Sequence, residues 1–337
     1  MPSEHGADGS EPWLALSDMG SFHVGGRKAI ISGKAPRLAT LRPGDAPVTI
    51  DPNGTYQVDQ LYAQYFIPHR VRGEAALLLW HGAPLTGVTY ETTPDGREGW
   101  ATHFVRLGWS VYVSDAVERG RSGWALFPDI WPGDPVFTRH DRYFDTDFRI
   151  GKGPGAYSPD LEVLRANLLP GSRFPAEAYE GLAKQLVPRW RCNDEAILDA
   201  YVALVDRVGP CVIVAHSQAT RYVFRVAQRR PGHVRGIVAV EPIPIEGDDG
   251  RIDVLRDTRM LYLWGDFLET DPEWPAIRDG AHAFRDRMIA GGVSVETIEL
   301  PKIGIRGNSH MMMMDTNNLD VADVIQSWLA KQGLYRS

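Results

Sequence analysis

Cys211-Val-Ile-Val-Ala-His-Ser-Gln-Ala-Thr220 lies past the middle of a chain of 337 residues, and its reading decides the fold. Residues 211–215 are apolar without interruption and β-branched at their centre. A run without polar alternation marks a parallel strand covered on both faces. His216-Ser217-Gln218-Ala219 follows, and residues 221–229 then carry Tyr222, Val223, Val226 and Ala227 at helical spacing. Strand, single serine and helix form the layout of a nucleophile elbow. The sharp turn raises the hydroxyl above the carboxyl end of the sheet, and the helix N-terminus faces charge that develops there. Ala215 and Ala219 stand where glycines usually flank such a serine, and alanine still allows a close strand–helix crossing. The same stretch also suits an ordinary βα turn with Ser217 as a helix cap. The rest of the chain separates the two readings.

Upstream, residues 75–80 form an apolar run that ends in His81-Gly82-Ala83-Pro84. Residues 100–107 have a helical pattern, and 110–115 form the next strand, followed by Glu118-Arg-Gly-Arg-Ser-Gly123. Residues 56–68 alternate (Val58, Leu61, Ala63, Tyr65, Ile67), as an antiparallel strand near a sheet edge does. In residues 21–32, Gly25-Gly26 separates two short apolar runs and predicts a two-residue hairpin. Downstream, the pattern gives a helix over 195–208, the elbow strand and its helix, and strands over 236–241 and 259–265. A helix over 275–290, a strand over 293–300 and an amphipathic helix over 319–331 complete it. Alternating strands and helices predict an α/β fold: a mostly parallel central sheet flanked by helices, with an N-terminal hairpin and an inserted cap.

The cap is assigned to residues 124–194, which break the rhythm. They are rich in Pro, Gly, Asp and aromatics, with helical pattern only around 175–185. A long irregular insertion in a compact domain is usually functional or disordered, and this aromatic content argues against disorder. Residues 21–123 and 195–337 then form the core, and the polar residues 1–20 are expected to be poorly ordered.

The net charge of −7 is dispersed without blocks, which argues against a nucleic-acid partner. Two cysteines, Cys192 and Cys211, give no disulfide framework. The first residues have neither a basic nor an apolar leader pattern, and no apolar run approaches about 18 residues. The expectation is a cytoplasmic protein with no membrane partner.

Acyl transfer by serine needs a base, an acid that orients the base, and two N–H donors for the oxyanion. With an elbow of this kind the partners arrive in the order serine, acid, histidine, each after a strand. His310 is the histidine between the last predicted strand and the last helix, in the polar loop Gly304-Ile-Arg-Gly-Asn-Ser-His310. Two acids compete: Glu241 ends the strand after the elbow helix, and Asp266 ends the next. Spacing does not choose between them. The oxyanion donors are expected from the N–H of Gln218 and of Ala83, with Gly82 second, because Pro84 has no N–H. No phosphate loop and no His-x-x-x-His spacing is present, so no metal or organic cofactor is expected.

Several stretches together resemble one family. They are His81-Gly82, residues 85–100 (Leu-Thr-Gly-Val-Thr-Tyr-Glu-Thr-Thr-Pro-Asp-Gly-Arg-Glu-Gly-Trp), residues 118–122 (Glu-Arg-Gly-Arg-Ser), His216-Ser217-Gln218, Val240-Glu241-Pro242 and residues 307–314 (Gly-Asn-Ser-His-Met-Met-Met-Met). They are similar to a small group of bacterial α/β-hydrolase carboxylesterases with a Ser-His-Glu triad, the acid following the sixth core strand. The resemblance spans about residues 21–329 and is weakest in the cap. It implies Ser217 as nucleophile, His310 as base and Glu241 as acid, with Asp266, His216 and Gly82 in support. The best-known member of that group has two adjacent cysteines joined in a disulfide just after the oxyanion loop's His-Gly; here Ala83 and Pro84 occupy those positions, so that disulfide is absent. Pro84 fixes its own φ and restricts Ala83, another route to a stiff loop.

The function expected is a serine carboxylesterase acting on a small-molecule ester through an acyl-enzyme. Two alternatives stand beside it. One is hydrolysis of amide, lactone or cyclol bonds by the same triad, since some similar enzymes open ergot-peptide substrates. The other is a non-catalytic ligand-binding relative. The N-terminal hairpin could also pair across a homodimer interface.

Overall fold

The computed structural model describes residues 13–125, 130–137, 139–245 and 249–336. In chain order it contains β1 (Leu16–Ile31), β2 (Arg37–Ala39), β3 (Val48–Ile50), β4 (Gly54–Pro68), β5 (Ala76–Trp80), α1 (Trp100–Arg106) and β6 (Val111–Asp115). Three short helices follow: α2 (His140–Arg142), α3 (Leu161–Ala166) and α4 (Tyr179–Ala183). Then come α5 (Asp194–Val208), β7 (Cys211–His216), α6 (Thr220–Arg229), β8 (Val234–Val240) and β9 (Arg259–Trp264). The chain closes with α7 (Trp274–Ala290), β10 (Val295–Glu299) and α8 (Asn318–Lys331).

Eight strands form one sheet in the order β1-β4-β6-β5-β7-β8-β9-β10. The β1–β4 and β4–β6 pairings are antiparallel. Every pairing from β6 through β10 is parallel. The pleat explains the unbroken apolar runs: Leu77, Leu79, Val212 and Val214 face one core, while Leu78, Trp80, Ile213 and Ala215 face the other. Helices α1 and α8 cover the first face, and α5, α6 and α7 the second. This is the α/β-hydrolase fold. β5 lies between β6 and β7, so the strand order reverses beside β5, and the loops after β5 and β7 leave the sheet as neighbours. A crevice at such a reversal is where open α/β sheets place their ligands.

The N-terminal hairpin is a misreading. Residues 16–31 are one long strand paired with β4 along its length. Gly25 and Gly26 have φ of 65° and 88°, and opposite them Asp59 has φ of 65°. The glycines therefore adapt the strand locally without reversing it, because both apolar runs belong to one strand. The order expected to begin at residue 21 begins earlier, with β1 at Leu16, while residues 1–12 lie outside the described residues. The small β2–β3 ribbon had no sequence signal strong enough to announce it.

Asp115, buried at the end of β6, ties the loops around the reversal together. Its Oδ1 accepts from Gly87 N at 2.7 Å, and its Oδ2 accepts from Arg121 N and Nε, each at 2.8 Å. Ser122 Oγ donates to its carbonyl. Stranding buried donors costs about 1–3 kcal/mol each, so Asp115→Ala is expected to lower unfolding free energy by about 2 kcal/mol or more. Urea unfolding checks this, and an unchanged midpoint would contradict it.

Candidate active site

β7 delivers Ser217 to a short turn, residues 217–219, that runs directly into α6. Ser217 has φ of 51°, a left-handed conformation that a non-glycine residue adopts only when its surroundings hold it there. Thr220 Oγ1 donates to Ser217 O at 2.6 Å and accepts from Ile243 N at 3.2 Å, fixing the turn against the chain that leaves β8. Gly82 approaches this turn closely. A Cβ there would stand 2.8 Å from His216 Nδ1 and 3.0 Å from Ser217 Cβ, so a side chain at 82 would displace the serine.

Glu241 is fully buried immediately after β8, with φ of 48°. Its Oε2 accepts from His310 Nδ1 at 2.9 Å. Its Oε1 accepts from Gly265 N at 2.7 Å and from Arg149 Nη2 at 2.6 Å. Burial would raise this carboxyl, but the Arg149 charge and the His310 hydrogen bond outweigh it and hold the group down at about 2. With Nδ1 donating, neutral His310 carries its lone pair on Nε2. Burial lowers the His310 pKa below the ordinary 6.5, and the opposing pull of Glu241 does not restore it.

The His310 ring is enclosed by aromatic and polar neighbours. Trp274 lies 4.6 Å from it between ring centroids, His216 4.4 Å and Phe148 5.7 Å. His310 N donates to Phe148 O at 2.9 Å, and His216 Nε2 donates to His310 O at 3.0 Å. Burial, then the neighbouring His310, keeps the His216 pKa well below 6.5, so His216 serves this bond as a neutral ring.

Asp266 braces the same loop from behind. Its Oδ2 accepts from Gly307 N at 2.9 Å, its Oδ1 from Phe267 N at 2.8 Å, and its own N donates to Asn308 O at 2.9 Å. Asp315 adds acceptors for Asn308 Nδ2, Ser309 N and Ser309 Oγ. The four methionines after His310 are buried in the core. Arg97 anchors the end of that run by donating to Met314 O, Asp315 O and Asn318 Oδ1 at 2.7–2.9 Å.

Ser217, Gln218, Ala83 and His310 all line one cavity of about 380 Å³. No hydrogen bond joins Ser217 to His310 among the described residues. Contacts of this kind are often long in unliganded sites and tighten around substrate. The Ala83 N–H has no hydrogen-bond partner among the described residues, and Pro84 O accepts from Val187 N at 2.8 Å. Residues 124–194 supply part of the cavity wall, including Tyr143, Phe148 and Arg189. Cys192 and Cys211 are both free thiols.

The sequence reading missed Arg149. It lies between β6 and α5, 1% exposed with φ of 50°, in a segment without any periodicity to mark it. Besides Glu241, it donates from Nε to Asp266 O at 3.0 Å, and its guanidinium lies 4.3 Å from the centre of the Trp274 ring.

A serine at a strained strand-to-helix turn, with a buried Glu–His pair across one cavity, on this sheet, defines an α/β hydrolase. Over 98% of its length the chain is 33% identical to a novel bacterial esterase solved at atomic resolution, covering 99% of that chain with a TM-score of 0.80. The chain belongs to that esterase family. It is also 28% identical to a probable secreted lipase of Fungal sp. (strain ATCC 74256), over 83% of this chain and 88% of the relative. That relative lends no support to the cytoplasmic expectation. No protein-family profile matches the chain. No helix among the described residues is long and apolar enough to cross a membrane.

Removing one partner of a buried ion pair costs about 3–5 kcal/mol, so Arg149→Met is expected to destabilise the fold by that order. Arg149 also depresses the His310 pKa through its charge. The ring of His310, followed by NMR, is therefore expected to titrate at higher pH in Arg149→Met than in the wild type. An unchanged titration would show that Arg149 acts on the fold alone.

Proposed function

We propose that this protein is a serine carboxylesterase that works through an acyl-enzyme. His310 Nε2 takes the proton of Ser217 Oγ as the oxygen attacks the ester carbonyl. Glu241 holds the imidazole with Nδ1 protonated and stabilises the imidazolium that forms. The N–H groups of Gln218 and Ala83 receive the oxyanion, and the helix N-terminus behind Gln218 favours the same charge. Collapse expels the alcohol, which leaves with the proton from His310. Water then attacks the acyl group with His310 again as base, releasing the acid and restoring Ser217.

The observation that carries this reading is the 2.9 Å bond from His310 Nδ1 to the buried Glu241, with His310 and Ser217 lining the same cavity. It supports Glu241 over Asp266 as the orienting acid, because both Asp266 oxygens are taken up by backbone N–H groups. The family's esterase description and the likeness to a probable lipase favour an ester as the bond cleaved.

Ester turnover by Ser217→Ala and His310→Ala is expected to fall by about 10⁴-fold or more, since triad members act as a unit. Glu241→Gln is expected to lose about 10⁴-fold in kcat, as when a triad acid becomes an amide, and Asp266→Asn much less. Steady-state kinetics on one activated ester checks the ranking, and the reverse order would assign the acid to Asp266.

The base must be neutral to accept the serine proton. kcat/KM should therefore rise with pH as His310 deprotonates, with its midpoint below the ordinary 6.5. An acid limb centred above that value would contradict the environment described for His310.

A further inference from the structure

The cavity wall carries more positive charge than ester hydrolysis requires. Arg142, Arg189, Arg191 and Arg221 line it, against the carboxylates of Asp147 and Glu273. Both acids gather on one arginine: Arg142 Nε lies 3.0 Å from Asp147 Oδ1, and Arg142 also feels the charge of Glu273. No carboxylate among the described residues pairs with Arg189, Arg191 or Arg221. Arg189 Nε is buried with no hydrogen-bond partner. Near Arg189 lies Arg119, 2% exposed, whose Nε and Nη1 are likewise buried without partners. Burial, then the charge of Arg189, pushes Arg119 down to about 10.

Arg189 and Arg221 are half-buried and Arg191 is exposed, so the unbonded Nε of Arg189 is the cavity group held from water, and a bound anion gives such a group a charge-assisted bond. Arg221 lies in the first turn of α6, four residues after Ser217, and lines the same cavity. Arg189 enters the same cavity from the insertion. At about 380 Å³ the cavity sits near the lower end of small-ligand pockets, about 300–1,000 Å³.

Resting on the esterase reading above, we propose that the substrates are small esters that also carry a carboxylate, such as hemiesters of dicarboxylic acids. Arg189 and Arg221 hold the carboxylate while Ser217 attacks the ester carbonyl. Water and the ester yield an alcohol, a second carboxylate and a proton; the anchored carboxylate is unchanged. The dicarboxylate product keeps the anchoring group and so competes with substrate.

The test compares kcat/KM for monoethyl glutarate and ethyl pentanoate with the full-length protein at low and high NaCl. The anionic ester is expected to be preferred by about tenfold or more, and the preference to shrink as salt screens the charges. In Arg189→Gln/Arg221→Gln the anionic-to-neutral ratio is expected to fall by about tenfold or more, and Arg189→Lys/Arg221→Lys to retain part of it. A wild-type ratio at or below one overturns the proposal, as does a ratio that the glutamine substitutions leave unchanged. If ethyl pentanoate is hydrolysed without any anionic preference, the anion site alone fails and the esterase reading stands. If neither ester is hydrolysed, the esterase reading fails. Calorimetry with glutarate then decides the arginines separately: binding weakened about tenfold by the glutamine substitutions supports an anion site, and no binding to the wild type overturns it.

Discussion

The ion pair between Arg149 and Glu241, 2.6 Å long and shut away from solvent, is the contact on which the rest of the site depends. Desolvating two charges is expensive, and their attraction compensates only when geometry is good and the remaining polar atoms are bonded. Glu241 meets that condition with three donors, Arg149, His310 and Gly265, whereas Arg149 Nη1 is buried without a hydrogen-bond partner and the guanidinium rests on the Trp274 ring. The result is a carboxylate that stays ionised when buried, and therefore an acceptor that fixes which nitrogen of His310 carries the proton. Arg149 lies between β6 and α5, whereas Glu241 directly follows β8, so the same contact fastens the cavity wall to the sheet. Stacking of Arg149 on Trp274, which also packs on His310, extends that fastening to α7.

Three residues of the site share an unusual backbone. Ser217, Glu241 and Arg149 all have positive φ near 50°, a conformation that costs a side-chain-bearing residue of order 1–3 kcal/mol. The buried bonds around them hold these conformations. The serine turn is pinned through Thr220, and the glutamate by its backbone bond to Leu263 O together with its three side-chain donors. The reversal of strand order beside β5 makes the arrangement possible at all, because it brings the loop of Ala83 next to the turn of Ser217.

The parts of this architecture legible in the sequence were those with a local signature. The apolar run of β7 and the turn after it announced Ser217, and His310 stood out by its place between the last strand and last helix. The acid could not be chosen by spacing, since both Glu241 and Asp266 follow apolar strands. Only the three-dimensional donors separate them: backbone N–H groups occupy Asp266, and His310 reaches Glu241. Resemblance to a known family pointed to the same glutamate. Arg149 and the cavity arginines escaped notice because they lie in a segment without repeat or period, or on a helix where arginine is ordinary. Gly25-Gly26 misled for a related reason: paired glycines signal a turn locally, and only pairing with β4 along the whole of β1 shows that none forms.

The central claim is that Ser217 is a nucleophile activated by a neutral His310. Reaction of the native protein with a fluorophosphonate, followed by peptide mass spectrometry across a pH series, tests it most directly. A single adduct is expected on the peptide containing Ser217, formed at a rate that rises as His310 loses its proton below the ordinary imidazole value. An unlabelled Ser217 in folded protein, or an adduct on another serine, would contradict it.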